Sequence, residues 1–397
     1  MSLLNDTCPP LQGVKVLDLS RAVAGPFCTL MLGDLGARVI KIEEPGCGDE
    51  TRQWGPPFVN GESAYFLSLN RNKESVALDL KRNEDRQVLE CLIRECDVVV
   101  QNFRPGVAER LGIGYESLER HNPGLIYVSI SGFGLSGPDC QRPGYDLIVQ
   151  AMSGMMVASG TEGEPAKSCF PAADILAGQF ASQAILAALY AKQRSGEGTH
   201  IEVSLLESLL FAMSLHTTAS LLTGVAPAPH GTSHPTIVPY QLLQCQDNYL
   251  AVAVPNQRIW RRFCEALGKP EWTDDDRYQT NRDRIRQRDT LISEIEEIMK
   301  QRPSSEWVRT LDRNGVPCGP LLAVNEIVQH PQVIARNNIA TLDHPVVGAL
   351  RLLGNPIRFN NRSMGYRAPP ILGQHTSSVV EEFMAKSRNA RHMGLEE

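Results

Sequence analysis

An α/β fold built on a mostly parallel, doubly wound sheet is what this sequence predicts, and three observations carry the prediction. Short, β-branched apolar runs alternate with helical stretches through the first 205 residues, the pattern of strands crossed over by helices. Glycine and proline punctuate the joints between them, as turns require. At 397 residues with 42% hydrophobic and 21% charged side chains, the chain can bury a large core and has room for more than one domain.

Val14–Leu19 reads as the first strand and Phe27–Leu35 as a helix that begins after the Gly25-Pro26 break. Arg38–Glu43 is the second strand and Ser75–Leu80 the third, with apolar alternation. Glu84–Glu95 places Val88, Leu89, Leu92 and Ile93 on one helical face. The strands Asp97–Phe103 and Leu125–Ser131 follow, separated by helical turns at Pro105–Leu111 and Glu116–His121. Ala172–Gln193 is apolar or small on nearly every side, which predicts a buried helix packed at close range. His200–Ser204 is a strand and Leu205–Leu222 one further apolar helix.

The proline-rich stretch 224–230 reads as a linker. Beyond it, Tyr240–Gln244 and Tyr249–Val254 flank Asp247-Asn248 and predict a hairpin. Charged helices are expected at Arg258–Leu267, Arg284–Met299 and Ser305–Asn314. The expected organisation is therefore a large α/β domain over 1–224 and a smaller α+β domain over 225–325. An extended, loop-rich segment over 326–397 then returns to the large domain.

The net charge of −6 gives no global attraction to nucleic acid or to an anionic membrane. The ten cysteines form no C-x-x-C pair and no zinc spacing, so free thiols and no metal site are expected. No charged-then-apolar leader opens the chain, and the apolar stretch Ile175–Leu189 is short and interrupted by Gly178, Gln179, Ser182 and Gln183. The expectation is a cytoplasmic protein with no membrane and no nucleic-acid partner.

Gly132-Phe-Gly-Leu-Ser-Gly137 is a literal G-x-G-x-x-G after a strand, but Pro138 follows at once and no acidic residue ends a next strand. A dinucleotide needs a helix to open there, so the glycines are read as shaping a loop. A phosphate-binding glycine–lysine loop, H-E-x-x-H and G-x-S-x-G are all missing. Asp174 stands at the start of the most apolar helix. It is either a helix cap or a carboxylate held among apolar groups that acts as base or nucleophile. Basic residues gather at Arg71, Lys73, Lys81, Arg82, Arg104, Arg110 and Arg142. Solvated surface charge accounts for most such residues. Arg104 and Arg110, however, follow a strand at the carboxyl edge of the sheet, where a phosphate-bearing ligand would sit.

The ordered series of motifs resembles the family III CoA-transferases, the group of formyl-CoA transferase and the carnitine CoA-transferase. It runs from Leu11-Gln-Gly-Val-Lys-Val-Leu-Asp-Leu-Ser20 and Ala24-Gly-Pro26 through Leu35-Gly-Ala-Arg-Val-Ile-Lys-Ile-Glu43, Pro45-Gly46 and Gly48-Asp49. It continues with Asn70-Arg-Asn-Lys73, Asn102-Phe-Arg-Pro-Gly106, Asn122-Pro-Gly-Leu-Ile-Tyr127 and Ser131-Gly-Phe-Gly134. Gly144-Tyr-Asp146, Ala173-Asp174 and Leu372-Gly-Gln-His375 complete it over nearly the whole chain. The resemblance implies a Rossmann-like large domain, a small domain and an interlocked homodimer.

It also implies a thioester-for-carboxylate exchange with Asp174 as the nucleophile, passing through aspartyl anhydride and aspartyl-CoA thioester. Coenzyme A and acyl-CoA would be substrates, with no tightly bound cofactor. The family's CoA contacts fall on Ala22, Val23, Leu78, Lys81, Asn102, Phe103, Arg104, Arg110, Gly144, Tyr145 and Asp146, with Arg142 beside them. Glu44 departs from the pattern, since formyl-CoA transferase has an arginine there. The tetraglycine loop of the oxalate-using enzymes is replaced by His230-Gly-Thr-Ser-His-Pro-Thr-Ile-Val-Pro-Tyr240, which argues against oxalate. This loop and Asp49-Glu-Thr-Arg-Gln-Trp-Gly-Pro-Pro57 look more like the branch handling succinyl-CoA and small dicarboxylic acids, with Arg52 or His234 expected on a distal carboxylate.

The rival within the same superfamily is an α-methylacyl-CoA racemase. Racemases carry Gly-His-Asp where this chain has Gly144-Tyr145-Asp146, and a phenol of pKa about 10 replaces imidazole poorly near neutral pH. A catalytically silent CoA-binding protein is the other alternative, in which Asp174 is only a helix cap.

Overall fold

A computed structural model describes residues 9–360 and 365–392. The described residues fall into two compact units. The first lies within Met1–Gly154, Ser168–Leu222 and Arg336–Glu397, the second within Met155–Lys167 and Thr223–Ala335.

The first unit opens with β1 (Lys15–Asp18), α1 (Ala24–Asp34), β2 (Arg38–Glu43) and α2 (Ala64–Leu69). It continues with β3 (Lys73–Ala77), α3 (Asn83–Glu95), β4 (Val98–Gln101), β5 (Ile126–Ser131) and α4 (Asp146–Met152). Then come α5 (Ala172–Ser195), β6 (Thr199–Ser204), α6 (Leu205–Ala212) and α7 (Ser214–Thr223). All five neighbouring strand pairs are parallel, in the order β3-β2-β1-β4-β5-β6. That is the Rossmann order, with its reversal between β1 and β4.

Val16, Leu17, Val39, Ile40, Val98, Val99, Val100 and Val128 are wholly buried, as strands covered on both faces require. Leu17, Ile40 and Val99 share a core with Leu89, Leu92 and Ile93 of α3. Val39 points the opposite way, and its Cγ2 lies close under Gly33 of α1. The sheet is thus sandwiched between helices.

Several elements differ from the sequence expectation. Helix α1 starts at Ala24, so Gly25 and Pro26 lie in its first turn, where a missing N–H costs nothing. Strand β3 begins at Lys73 and ends at Ala77. The expected helix 205–222 is two helices bent by 82°. Helix α5 is long and apolar enough to cross a membrane by length and composition. It is not buried all round: its buried residues run from Ala172 to Ile185, while Leu186 and Tyr190 are exposed.

The second unit pairs β7 (Tyr240–Gln244) and β8 (Tyr249–Ala253) as the expected hairpin, with β9 (Cys318–Pro320) joining β8. Its helices are α8 (Gln257–Leu267), α9 (Asn281–Arg286), α10 (Arg288–Met299) and α11 (Ser304–Arg313). The helix expected over 284–299 is therefore interrupted at Gln287. Trp260, Phe263, Tyr278, Leu291, Ile295 and Trp307 form this unit's own core.

The last segment is more regular than the loop-rich reading allowed. Strands β10 (Ile339–His344) and β11 (Gly348–Leu353) form an antiparallel hairpin. Helix α12 (Thr376–His392) then buries Val379 and Phe383 in the core of the first unit.

Candidate active site

The strand order reverses between β1 and β4, and open α/β sheets bind ligands outside the carboxyl ends of the strands at such a point. Here the two turns are tied together. Asn102 accepts from Arg21 N at 2.8 Å and donates to Arg21 O at 2.7 Å, and the Arg21 guanidinium lies over the Phe103 ring at 5.8 Å. Ala22 takes a left-handed φ of 62°, a conformation costly for a residue with a Cβ. Its N–H is held by Asp49 Oδ1 at 3.2 Å.

Buried charges anchor this turn from below. Lys41 donates to Ser20 O at 2.8 Å and pairs with Asp49 at 2.8 Å, both side chains fully enclosed. Asp18 accepts from Ser20 N at 3.0 Å and pairs with Lys73 at 3.1 Å. Burial opposes ionisation of Asp18, yet Lys73 and Lys41, with the hydroxyls of Ser20 and Thr29, hold its carboxyl far below the usual range. Above the turn is a cavity of about 260 Å³ whose lining includes Leu19, Arg21, Glu44, Leu78, Lys81 and Phe103.

Asp174 is the third residue of α5 and caps nothing. The helix opens at Ala172, Pro171 offers no capping side chain, and the free amide of Ala173 is taken instead by Asp146 Oδ1 at 2.9 Å. The Asp174 carboxylate makes no hydrogen bond or ion pair among the described residues. Burial, and then the charge of Asp146, raise its pKa to about 7. One turn further on, Gly178 lets α5 cross α1, since a Cβ there would lie 2.5 Å from Ala24 O. Asp174 and Gly178 share a helical face, so the nucleophile candidate stands at the end of α1 that Ala22 and Val23 lead into.

The loop after β5 settles the G-x-G-x-x-G match. Residues 132–145 open no helix at Gly137. Gly132 and Gly144 pack backbone against backbone, a Cβ on either meeting the other's Cα within 2.6 Å. That contact carries the chain to Tyr145, the residue before α4, and to Asp146 at its first turn.

A family model described as CoA-transferase family III matches residues 11–376. The chain belongs to that family. The human succinyl-CoA:glutarate CoA-transferase is 40% identical over 378 residues, covering 94% of this chain and 86% of that one. The acetyl-CoA:oxalate CoA-transferase of Acetobacter aceti is 40% identical over 380 residues, covering 95% and 96%. The crystal structure of a CAIB/BAIF family protein from Brucella suis superposes with a TM-score of 0.84 at 38% identity, covering 94% of this chain and 99% of that one. This CoA-transferase therefore has a glutarate enzyme and an oxalate enzyme among relatives of equal identity.

In this family III chain the expected site residues divide. Ala22, Asn102 and Phe103 meet at the switch point, with Val23 next in line, and Leu78, Lys81 and Phe103 line the cavity. Arg104 and Arg110 are exposed after β4, outside the cavity lining. Arg142 pairs with Asp139 at 3.3 Å and lies over Phe133, on the exposed loop. Arg71 and Lys73 are not phosphate ligands: Arg71 is buried on Asp34, and Lys73 on Asp18, Asn70 and Pro26 O.

Arg52 is likewise engaged. Its guanidinium pairs with Glu43 at 2.7 and 2.8 Å and stacks on Phe66 at 3.6 Å, so its donors are turned to the protein and not to a substrate carboxylate. His234, in the second unit, accepts Thr236 N at Nδ1, which leaves Nε2 as its donor.

One residue was missed. Tyr65, in the first turn of α2 and edge-on to Trp54 at 5.1 Å, feels both Asp174 and Asp146; burial first and then these charges raise its pKa, keeping it a proton donor. Gln150 is wholly buried and bonded to Asp146 at 2.7 Å. Only the Asp146–Gln150 spacing of four on a helix pointed to that pair.

Proposed function

We propose that this CoA-transferase moves CoA from succinyl-CoA to a small dicarboxylic acid through covalent intermediates on Asp174. The observation that carries the reading is a carboxylate with no structural partner among the described residues, held at a buried helix start beside a second carboxylate. The names of the relatives support a dicarboxylate acceptor, glutarate in one and oxalate in the other.

The steps balance without ATP or metal. Asp174 attacks the thioester carbonyl, the C–S bond breaks, and its electron pair leaves on the CoA sulfur, giving a mixed anhydride. The thiolate attacks the aspartyl carbonyl and expels the donor carboxylate, giving an aspartyl-CoA thioester. The acceptor carboxylate displaces the thiolate to form a second anhydride, and the thiolate then takes the acceptor acyl group and frees Asp174. The CoA moiety would lie along the turns at Ala22 and Asn102 and over the cavity at Leu78 and Phe103. Lys81, Arg104 and Arg110 are the cations on that side for its phosphates.

We further read the functional form as a homodimer. Tyr190, Phe211, Leu221 and Leu222 are 63%, 72%, 86% and 80% exposed on α5–α7, an apolar load that a lone soluble chain seldom carries.

The test is an intact-mass spectrum after mixing with succinyl-CoA and hydroxylamine. A gain of about 15 Da on Asp174, from OH replaced by NHOH at an activated acyl carbon, is expected. Its absence with every acyl-CoA tried, together with α-proton exchange in deuterated water, would move the racemase reading ahead.

A further inference from the structure

Beyond the nucleophile itself, the structure points to a device that holds its electrostatic neighbour in place. We propose that Gln150 is a positioning residue for Asp174: it fixes the Asp146 carboxylate on the Ala173 amide and so keeps a second negative charge beside the nucleophile. This rests on the reading of Asp174 just given.

Gln150 has no exposed surface, and every polar group on its side chain is used. Its Nε2 donates to Asp146 Oδ2 at 2.7 Å and to Phe170 O at 3.5 Å. Its Oε1 accepts from Ser168 N at 3.0 Å. One buried amide thus joins α4 to the segment that leads into α5. Asp146 and Gln150 are four apart on α4, hence on one face. The other Asp146 oxygen takes Ala173 N, one of the amides a helix start leaves open. Gripped at both oxygens, Asp146 cannot swing to solvent and relax its repulsion with Asp174.

The charges around Asp174 leave this pair dominant. Helix α2 brings the neutral phenol of Tyr65. Helix α1 brings Ala24, Phe27 and Cys28 to the crossing at Gly178. On α6, Glu207 is bonded to Ser204 Oγ. On β5, Tyr127 lies in the core shared with α3 and donates to Ile113 O. On β6, His200 is bonded to Ser129 and Glu202 to Leu135 N.

The repulsion acts on one side of the reaction. Before attack, Asp174 is a carboxylate beside a carboxylate. As its oxygen bonds the thioester carbon, negative charge passes to the departing sulfur, away from Asp146. An interaction that is unfavourable in the ground state and relieved in the transition state accelerates acylation.

The experiment uses the full-length protein with Gln150→Leu and Asp146→Asn, and measures kcat/KM for succinyl-CoA against pH alongside the hydroxylamine adduct. Wild type should show an acid limb near pH 7. Asp146→Asn keeps an acceptor for Ala173 N but loses the charge, and should move that limb down by about one unit. Gln150→Leu should move it the same way by less, with kcat reduced about tenfold and KM for succinyl-CoA within about twofold. A folded Gln150→Leu with only a lowered Tm and an unmoved limb overturns the proposal, as does an unmoved limb in Asp146→Asn if Gln150→Leu does not fold. No adduct in wild type overturns the nucleophile reading itself and this inference with it. An adduct in wild type with unmoved limbs in the variants overturns this inference alone.

Discussion

Asp174 is expensive to keep ionised, and beyond the helix N-terminus no hydrogen bond or ion pair among the described residues offsets the cost. Its pKa of about 7 in the folded chain lies above the unfolded value of about 3.9. The carboxyl therefore favours folding fully only below the unfolded value, and that contribution is lost as pH rises through about 7. Asp174→Asn should abolish transfer and, in thermal scans, stabilise the protein at pH 8.5 by on the order of 1–3 kcal/mol while leaving pH 4 unchanged. Equal Tm values at both pH values would mean that the carboxylate is solvated after all. Tyr65 belongs to the same argument. Its hydroxyl has no partner among the described residues, and burial, then the two carboxylates, keep it protonated. Tyr65→Phe should lower kcat about a hundredfold with the Asp174 adduct still forming, as loss of one donor to a developing oxyanion does. An unchanged kcat would place the phenol outside the reacting region.

At the scale of elements, the legible parts were those whose signal is local. Arg38–Glu43 carries the β-branched Val39, Ile40 and Ile42 between turns, and β2 has the expected limits. The break between α6 and α7 lies at Met213, inside an apolar stretch with no glycine or proline to mark it. Helix α12 opens on Thr376-Ser377-Ser378, and among its described side chains Val379 and Phe383 hold the core, too few to set a period. The site divides in the same way. Asp174 was visible because an acid opens an apolar helix. The engagement of Arg52 was not, because Glu43 and Phe66 reach it only through the sheet. Gly178 shows how little sequence a crossing needs. Gly178→Ala adds helix propensity of about 1 kcal/mol, yet its Cβ would meet the Ala24 carbonyl at 2.5 Å, an atom that cannot turn aside. The overpacking should win by about 1–3 kcal/mol in urea unfolding, with a lower kcat because the Asp174 end of α5 moves with the crossing. A stabilised Gly178→Ala would show that the two helices separate freely.

For the whole molecule, the decisive feature is where burial stops. Helix α5 buries one face from Ala172 to Ile185, and beyond it Leu186 and Tyr190 stand in the open. The 82° bend between α6 and α7 turns a second apolar stretch outward, ending in Leu221 and Leu222. Leaving such side chains in water forfeits about 1.5–3 kcal/mol each, and in the proposed homodimer covering several of them would work against the cost of association. Sedimentation equilibrium should therefore give twice the 43.8 kDa chain mass at micromolar concentration, and Tm should rise with protein concentration. Replacing Leu221 and Leu222 together by lysine puts two charges into that face. The expected product is a smaller species with a lower, concentration-independent Tm and reduced transfer activity. A wild-type protein that sediments as a single chain while turning over succinyl-CoA would show that these side chains are tolerated in solvent and that one copy is sufficient for catalysis.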